Sequence, residues 1–136
     1  MQAVSGTETI LVVDDEISIL SLAHAMLRRY GYTVIGANSA AEVLRLFQVW
    51  PDLEVDLALI DIVMSDIDGF ELAERLRKTR PTLPVVYISA YSEKEDARPA
   101  ATGEVPFLAK PFSPQQLAEK VRAVLDAPLR ASASGA

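Results

Sequence analysis

The sequence predicts an open α/β sheet of parallel strands covered by helices on both faces. Strand-length apolar runs alternate along the chain with longer stretches whose apolar residues recur at helical period, the pattern of βα units. Four of these runs end in polar residues of different kinds: residues 10–13 in Asp14 and Asp15, 57–60 in Asp61, 85–88 in Ser89, and 107–109 in Lys110 and Pro111. The carboxyl ends of parallel strands share one edge, so Asp14, Asp15, Asp61, Ser89 and Lys110 are expected to converge on one crevice.

The first strand falls near residues 9–14 and a helix near 17–29, with Ile19, Leu22, Ala23, Met26 and Tyr30 on one face and Gly31 as the stop. A second strand near 32–37 precedes a helix near 39–49 capped by Ser39. The third strand lies near 56–61. Asp68 and Gly69 open the helix near 69–79, which Arg75, Arg77, Lys78 and Arg80 close where the helix dipole favours cations. A fourth strand near 84–89 leads into a helical segment near 92–98 that Pro99 and Gly103 interrupt. Proline in a helix interior costs about 3 kcal/mol, so this fourth helix is expected to be short or irregular. A fifth strand near 105–109 precedes a helix near 114–126, with Ser113 as N-cap and Pro114 in the first turn.

The first, third and fourth strands are apolar on both faces, as central strands buried under helices must be. Pro106 cannot donate to a ladder, which puts the fifth strand at an edge, and the alternation through Thr33, Val34, Ile35 and Gly36 makes the second the other edge. The expected order is 2-1-3-4-5, a flavodoxin-like (βα)5 three-layer sandwich. Residues 8–126 make this one domain, and the small, polar residues 1–7 and 127–136 are expected to be flexible tails.

A chain of 136 residues suits a single domain. It has no cysteine, hence no disulfide and no thiolate metal site, which suits a reducing cytoplasm. Its apolar runs are far shorter than the roughly 20 residues of a membrane span, and residues 1–9 are too polar for a signal peptide, so no membrane contact is expected. The net charge of -6 argues against nucleic-acid binding, which needs clustered cations on one face.

The crevice residues suit phosphoryl chemistry. Paired carboxylates suit Mg²⁺, a hard cation held by oxygen ligands, and Asp61 faces the same point from the neighbouring strand. Carboxylates about 5 Å apart repel by on the order of 3 kcal/mol at an effective dielectric near 20, so a cation is needed to offset the cluster. Asp61 is the candidate nucleophile, since a carboxylate can attack phosphorus to give an acyl phosphate. Lys110 supplies an ammonium and Ser89 a hydroxyl for phosphoryl oxygens.

Together, Val12-Val13-Asp14-Asp15-Glu16, Asp61 through Met64 to Gly69, Ser89-Ala90 and Phe107 through Lys110-Pro111-Phe112 closely resemble the receiver domain of two-component response regulators. The resemblance spans residues 8–126. It implies that Asp61 is the phosphoacceptor, that Asp14, Asp15, Asp61 and the backbone carbonyl of Val63 hold Mg²⁺, and that Ser89 and Lys110 bind the phosphoryl oxygens. It further implies that Ser89 and Phe107 act as the switch and that the bond before Pro111 is cis. The implied donor is a sensor histidine kinase or a histidine phosphotransfer protein, and the domain catalyses only its own phosphorylation and dephosphorylation. The stretch from Glu104 to Pro114 looks most like receivers at the C-terminus of hybrid histidine kinases.

Three positions depart from the family pattern or vary within it. Ser65 stands where proline is frequent, which is expected to loosen the loop after Asp61; Val63 and Tyr91 occupy variable positions where bulk is expected to impede the hydrolytic water. Two rival functions are a phosphate-independent interaction module of the same fold and a haloacid-dehalogenase-like phosphatase. The first should have lost a site residue; the second needs an Asp two positions after its nucleophile, where Asp14 has Glu16. His24, on a polar helix face, is expected to be an exposed bystander, and Trp50 to cover the sheet edge or the loop at Pro51.

Overall fold

A computed structural model describes residues 5–90 and 106–127. The helical segment near 92–98, Tyr91 and most of the residues expected to be flexible tails lie outside the described residues. The elements run β1 (Thr9–Val13), α1 (Ile17–Arg29), β2 (Thr33–Ala37), α2 (Ala40–Val49), β3 (Leu57–Asp61), α3 (Gly69–Thr79), β4 (Val85–Ala90), β5 (Phe107–Lys110) and a C-terminal helix (Pro114–Asp126). The strands form one parallel sheet in the order β2-β1-β3-β4-β5. This is the flavodoxin-like order read from the sequence, with β2 and β5 at the edges.

Strand alternation divides the core in two. Leu11 and Val13 of β1, Ala58 and Ile60 of β3, and Val85 and Tyr87 of β4 pack with Val43 of α2 and Leu72 and Leu76 of α3. The intervening Ile10, Val12, Leu57, Leu59, Val86 and Ile88 pack with Met26 and Leu27 of α1 and with Leu117 and Val121 of the C-terminal helix. Helices therefore cover both faces, and β1 and β3 are buried almost end to end.

The helix ends follow from local chemistry. Ser39 Oγ accepts from Glu42 N–H at the start of α2, and Asp68 accepts from Glu71 N–H at the start of α3. Ser113 and Gln116 form a reciprocal capping box on the C-terminal helix, with Pro114 in its first turn. Gly31 ends α1 with φ of 99°, a left-handed conformation that glycine adopts without strain.

Three sequence expectations are corrected. The buried stripe of α1 is Ala23, Met26 and Leu27, whereas Leu22 is 46% exposed. Apolar residues surround most of this helix, so helical spacing alone allows more than one stripe. Pro106 precedes β5 rather than lying in it, and its carbonyl accepts from Tyr87 N–H, which leaves the edge position intact. Trp50 does not cover the sheet edge: it is 60% exposed at the end of α2, where its N–H closes the helix on Leu46 O.

Candidate metal and phosphoryl site

The carboxyl edge of the sheet gathers four strand ends. Asp14 directly follows β1, Asp61 is the last residue of β3, Ser89 lies one residue before the end of β4, and Lys110 is the last residue of β5. The central positions of β1 and β3 leave Asp14 and Asp61 buried, and Ser89 is buried as well. Asp15, one residue further into the loop, is exposed. Each of Asp14, Asp15 and Asp61 places a carboxylate oxygen within 4.8 Å of the other two.

Backbone donors hold the three carboxylates. Glu16 N–H donates to Asp14 Oδ1 at 2.9 Å, Val63 N–H to Asp61 Oδ1 at 3.3 Å, and Ser65 N–H to Asp15 Oδ2 at 3.1 Å. Lys110 Nζ reaches into the cluster, 2.9 Å from Asp14 Oδ2, 3.5 Å from Asp61 Oδ2 and 3.6 Å from Glu16 Oε1. Burial opposes the charge of this ammonium, but contact with Asp14 and the fields of Asp14, Asp61 and Glu16 outweigh it and hold the pKa above the usual lysine value.

The donor set fits a divalent cation. Asp14 Oδ2 is fully buried, and its charge is met by the ammonium of Lys110 at 2.9 Å. Three carboxylates gathered around one ammonium leave an excess of negative charge that a bound cation would offset. All the side-chain ligand atoms of the cluster are carboxylate oxygens, the ligand type that Mg²⁺ takes.

The loop after Asp61 turns tightly back onto the strand. Gly69 N–H donates to Ile62 O at 2.8 Å, and a Cβ on Gly69 would stand 2.4 Å from the carbonyl oxygen of Asp61. Only glycine lets α3 begin so close to the strand end that carries Asp61. Ser89 Oγ donates to Ala90 O at 3.3 Å. Phe107, half-buried on edge strand β5, pairs in register with Tyr87 of β4, whose ring lies 4.6 Å from that of Phe70. The Lys110–Pro111 peptide is cis, and Val63 is partly buried two residues beyond Asp61. The structure thus brings Asp14, Asp15, Asp61 and Lys110 into mutual contact range, with Ser89 on the adjoining strand end and Phe107 at the far end of β5 from Lys110.

Spacing did not reveal Asp66. Its carboxylate, in the loop after Asp61, accepts from Ala40 and Ala41 N–H at the start of α2. The sole histidine, His24, is exposed on α1, as its place on a polar helix face implies. No helix among the described residues is long and apolar enough to cross a membrane.

Comparison with known proteins agrees with this fold. The chain is 38% identical over 123 residues to the sensor kinase CckA of Brucella abortus, covering 90% of this chain and 13% of the kinase. It is 34% identical over 117 residues to the alkaline phosphatase synthesis transcriptional regulatory protein PhoP of Bacillus subtilis, covering 85% of this chain and 48% of that protein. It therefore spans less than half the length of either relative. A CheY-like receiver domain protein of Methanospirillum hungatei superimposes with a TM-score of 0.76 at 30% identity, covering 96% of this chain and all of that one. A receiver domain protein of Clostridium thermocellum gives a TM-score of 0.76 at 26% identity over 88% of this chain and 94% of its own. With the family model matching residues 10–122, the acidic crevice sits in a known frame: this chain belongs to the response regulator receiver domain family of two-component signal transduction.

Proposed function

We propose that this receiver domain takes a phosphoryl group onto Asp61 from a phosphohistidine of a sensor histidine kinase or a histidine phosphotransfer protein. The observation that carries the proposal is the buried carboxylate of Asp61, set within 4.8 Å of the carboxylates of Asp14 and Asp15 and 3.5 Å from the ammonium of Lys110.

An oxygen of Asp61 attacks phosphorus, the P–N bond breaks, and the imidazole leaves with the electron pair, giving an acyl phosphate on Asp61. Asp14, Asp15, Asp61 and the carbonyl of Val63 would hold Mg²⁺, which when bound offsets their mutual repulsion and the charge of the phosphoryl oxygens. Lys110, now paired with Asp14 and close to Asp61, would shift to a phosphoryl oxygen. Ser89 would turn its hydroxyl from Ala90 O toward the same group. The added charge, about -1.5 to -2, gives both residues reason to move. Phe107 is the aromatic that would report this movement to the surface, changing which protein contacts the domain makes. Water later attacks phosphorus, the bond from phosphorus to the Asp61 oxygen breaks, and inorganic phosphate leaves the free carboxylate of Asp61 behind. The similarity to a sensor kinase supports a second element: a receiver attached to a hybrid kinase.

Intact-mass spectrometry after incubation with Mg²⁺ and a small acyl-phosphate donor tests the proposal. The unmutated chain should gain one phosphoryl group, and Asp61→Asn none. No gain, with Mg²⁺ binding intact, would instead support a phosphate-independent module.

A further inference from the structure

The N-terminus of α2 and the loop that follows Asp61 are joined by one side chain. Ser39 Oγ accepts from Glu42 N–H, and Glu42 Oε1 accepts from Asn38 N–H. Ala40 and Ala41 N–H, the next donors at this helix end, go to another segment. Asp66 Oδ1 accepts from Ala40 N–H at 3.4 Å and Oδ2 from Ala41 N–H at 3.0 Å, while Oδ1 also takes the N–H of Ile67 at 3.0 Å. These backbone donors outweigh the effect of burial, the largest opposing influence, and hold the Asp66 carboxyl below the usual carboxylate range.

The residue before Asp66 touches the site. Ser65 N–H donates to Asp15 Oδ2, a bond that a proline at this position could not make. The loop is therefore held on one side by Gly69 on Ile62 O and on the other by Asp66 on α2, with the Ser65 donor between them.

We infer that Asp66 is a positioning residue: by fastening the loop to α2 it holds Ser65 N–H against Asp15 and so keeps that carboxylate turned toward the divalent cation. The inference rests on the metal reading given under Proposed function. It assigns Asp66 an effect on cation affinity that a plain helix cap lacks, and α2 supplies the control. Ser39 caps the same helix end through Glu42 N–H and not through the amides that hold the loop, so Ser39→Ala should weaken α2 and leave the Ser65 contact in place.

Mg²⁺ titration calorimetry on the full chain, with deuterium exchange of the Ser65 amide followed by NMR, tests this. Loss of an outer-shell hydrogen bond lowers metal affinity by about tenfold, so Asp66→Ala should raise the Mg²⁺ Kd by about that factor and Ser39→Ala by less than about twofold. Asp66→Asn, whose amide oxygen can still accept from Ala41 N–H, should fall between them. Ser65 exchange should quicken in Asp66→Ala alone. An unchanged Kd in Asp66→Ala, or equal losses in the Ala variants of Asp66 and Ser39, would overturn the inference. If the unmutated chain bound no Mg²⁺, the metal reading would fall and take the cation role of Asp66 with it. Ser65 exchange that still separated the two variants would mark that failure as one of the metal and not of the fastening.

Discussion

Two charged clusters sit at opposite edges of the sheet, and they are built on opposite principles. At the amino edge, Arg122 of the C-terminal helix lies 2.8 Å from both Glu8 and Asp126. Its remaining donors reach a second oxygen of each acid, Tyr32 Oη and the carbonyl of Ser5. The fork is fully used, and each pairing suits a planar guanidinium. At the carboxyl edge, the ammonium of Lys110 faces the carboxylates of Asp14, Glu16 and Asp61, with Asp15 beside them. There four carboxylates share one ammonium. The balanced cluster fastens the segment before β1 to the C-terminal helix and asks for nothing more. The unbalanced one carries an excess of negative charge, and that excess is what a cation can use.

The sharpest way to separate the two is to remove each cation in turn. Lys110→Met leaves Asp14 and Asp61 buried together with no ammonium, and breaking a buried pair from one side costs about 3 kcal/mol. The urea midpoint should fall accordingly, and Mg²⁺ should restore part of the loss because the cation replaces the missing charge. Arg122→Met should cost less, about 1.5 kcal/mol, because Asp126 is largely exposed and water can serve the stranded acids. Its loss should be indifferent to Mg²⁺. If Mg²⁺ rescued both variants equally, the distinction between a fastening cluster and a metal site would collapse.

The two clusters also differ in how far the sequence announces them. The carboxyl edge is legible because its parts sit at the ends of apolar runs: parallel strands force residues such as Asp14 and Asp61 to one edge whatever the intervening loops do. The sheet order was legible for a similar reason, since edge strands must tolerate a nearby proline or a half-polar face. The amino edge left no such trace. Arg122 meets Glu8 at a sequence separation of 114 and Ser5 at 117, and no local period encodes a long side chain reaching a remote backbone carbonyl. Asp66 escaped notice for the same reason, because its partners are amides of α2 about 25 residues earlier. Nor does the sequence show that Ser65, in place of a proline, gives its N–H to Asp15. Leu22 and Leu27 were exchanged because α1 carries apolar side chains around most of its circumference, and only packing against β1 and the C-terminal helix selects the stripe.

A smaller effect sharpens the comparison inside the acidic cluster. Asp15 is its exposed member, so Asp15→Asn removes repulsion screened by water and should stabilise the metal-free chain by only about 0.5 kcal/mol. That corresponds to a rise of roughly 1–2 °C in thermal midpoint for a domain of this size. The same variant should lose the stabilisation that added Mg²⁺ gives the unmutated chain, because a ligand has gone. A midpoint unmoved in both conditions would mean that the three carboxylates do not act as a cluster.

The smallest effect comes from pH, and its sign differs between the edges. The side-chain hydrogen bond from Arg122 holds the Glu8 carboxyl below its usual value of 4.5. A depressed carboxyl contributes stability above its unfolded pKa and loses it as pH falls through the folded value, so acid loosens the amino edge. Lys110 is raised above 10.5, so its contribution is whole below that pH and is lost as pH climbs through the folded value. Glu8→Gln should therefore flatten the fall in stability below pH 4.5 by a few tenths of a kcal/mol, since Glu8 is partly solvated, and leave the alkaline limb untouched. Lys110→Met should do the reverse on the alkaline side. Urea midpoints measured from pH 3 to 11 on both variants would show it. Were Glu8→Gln to alter the alkaline limb, the two edges would be coupled through the sheet rather than held by separate local contacts.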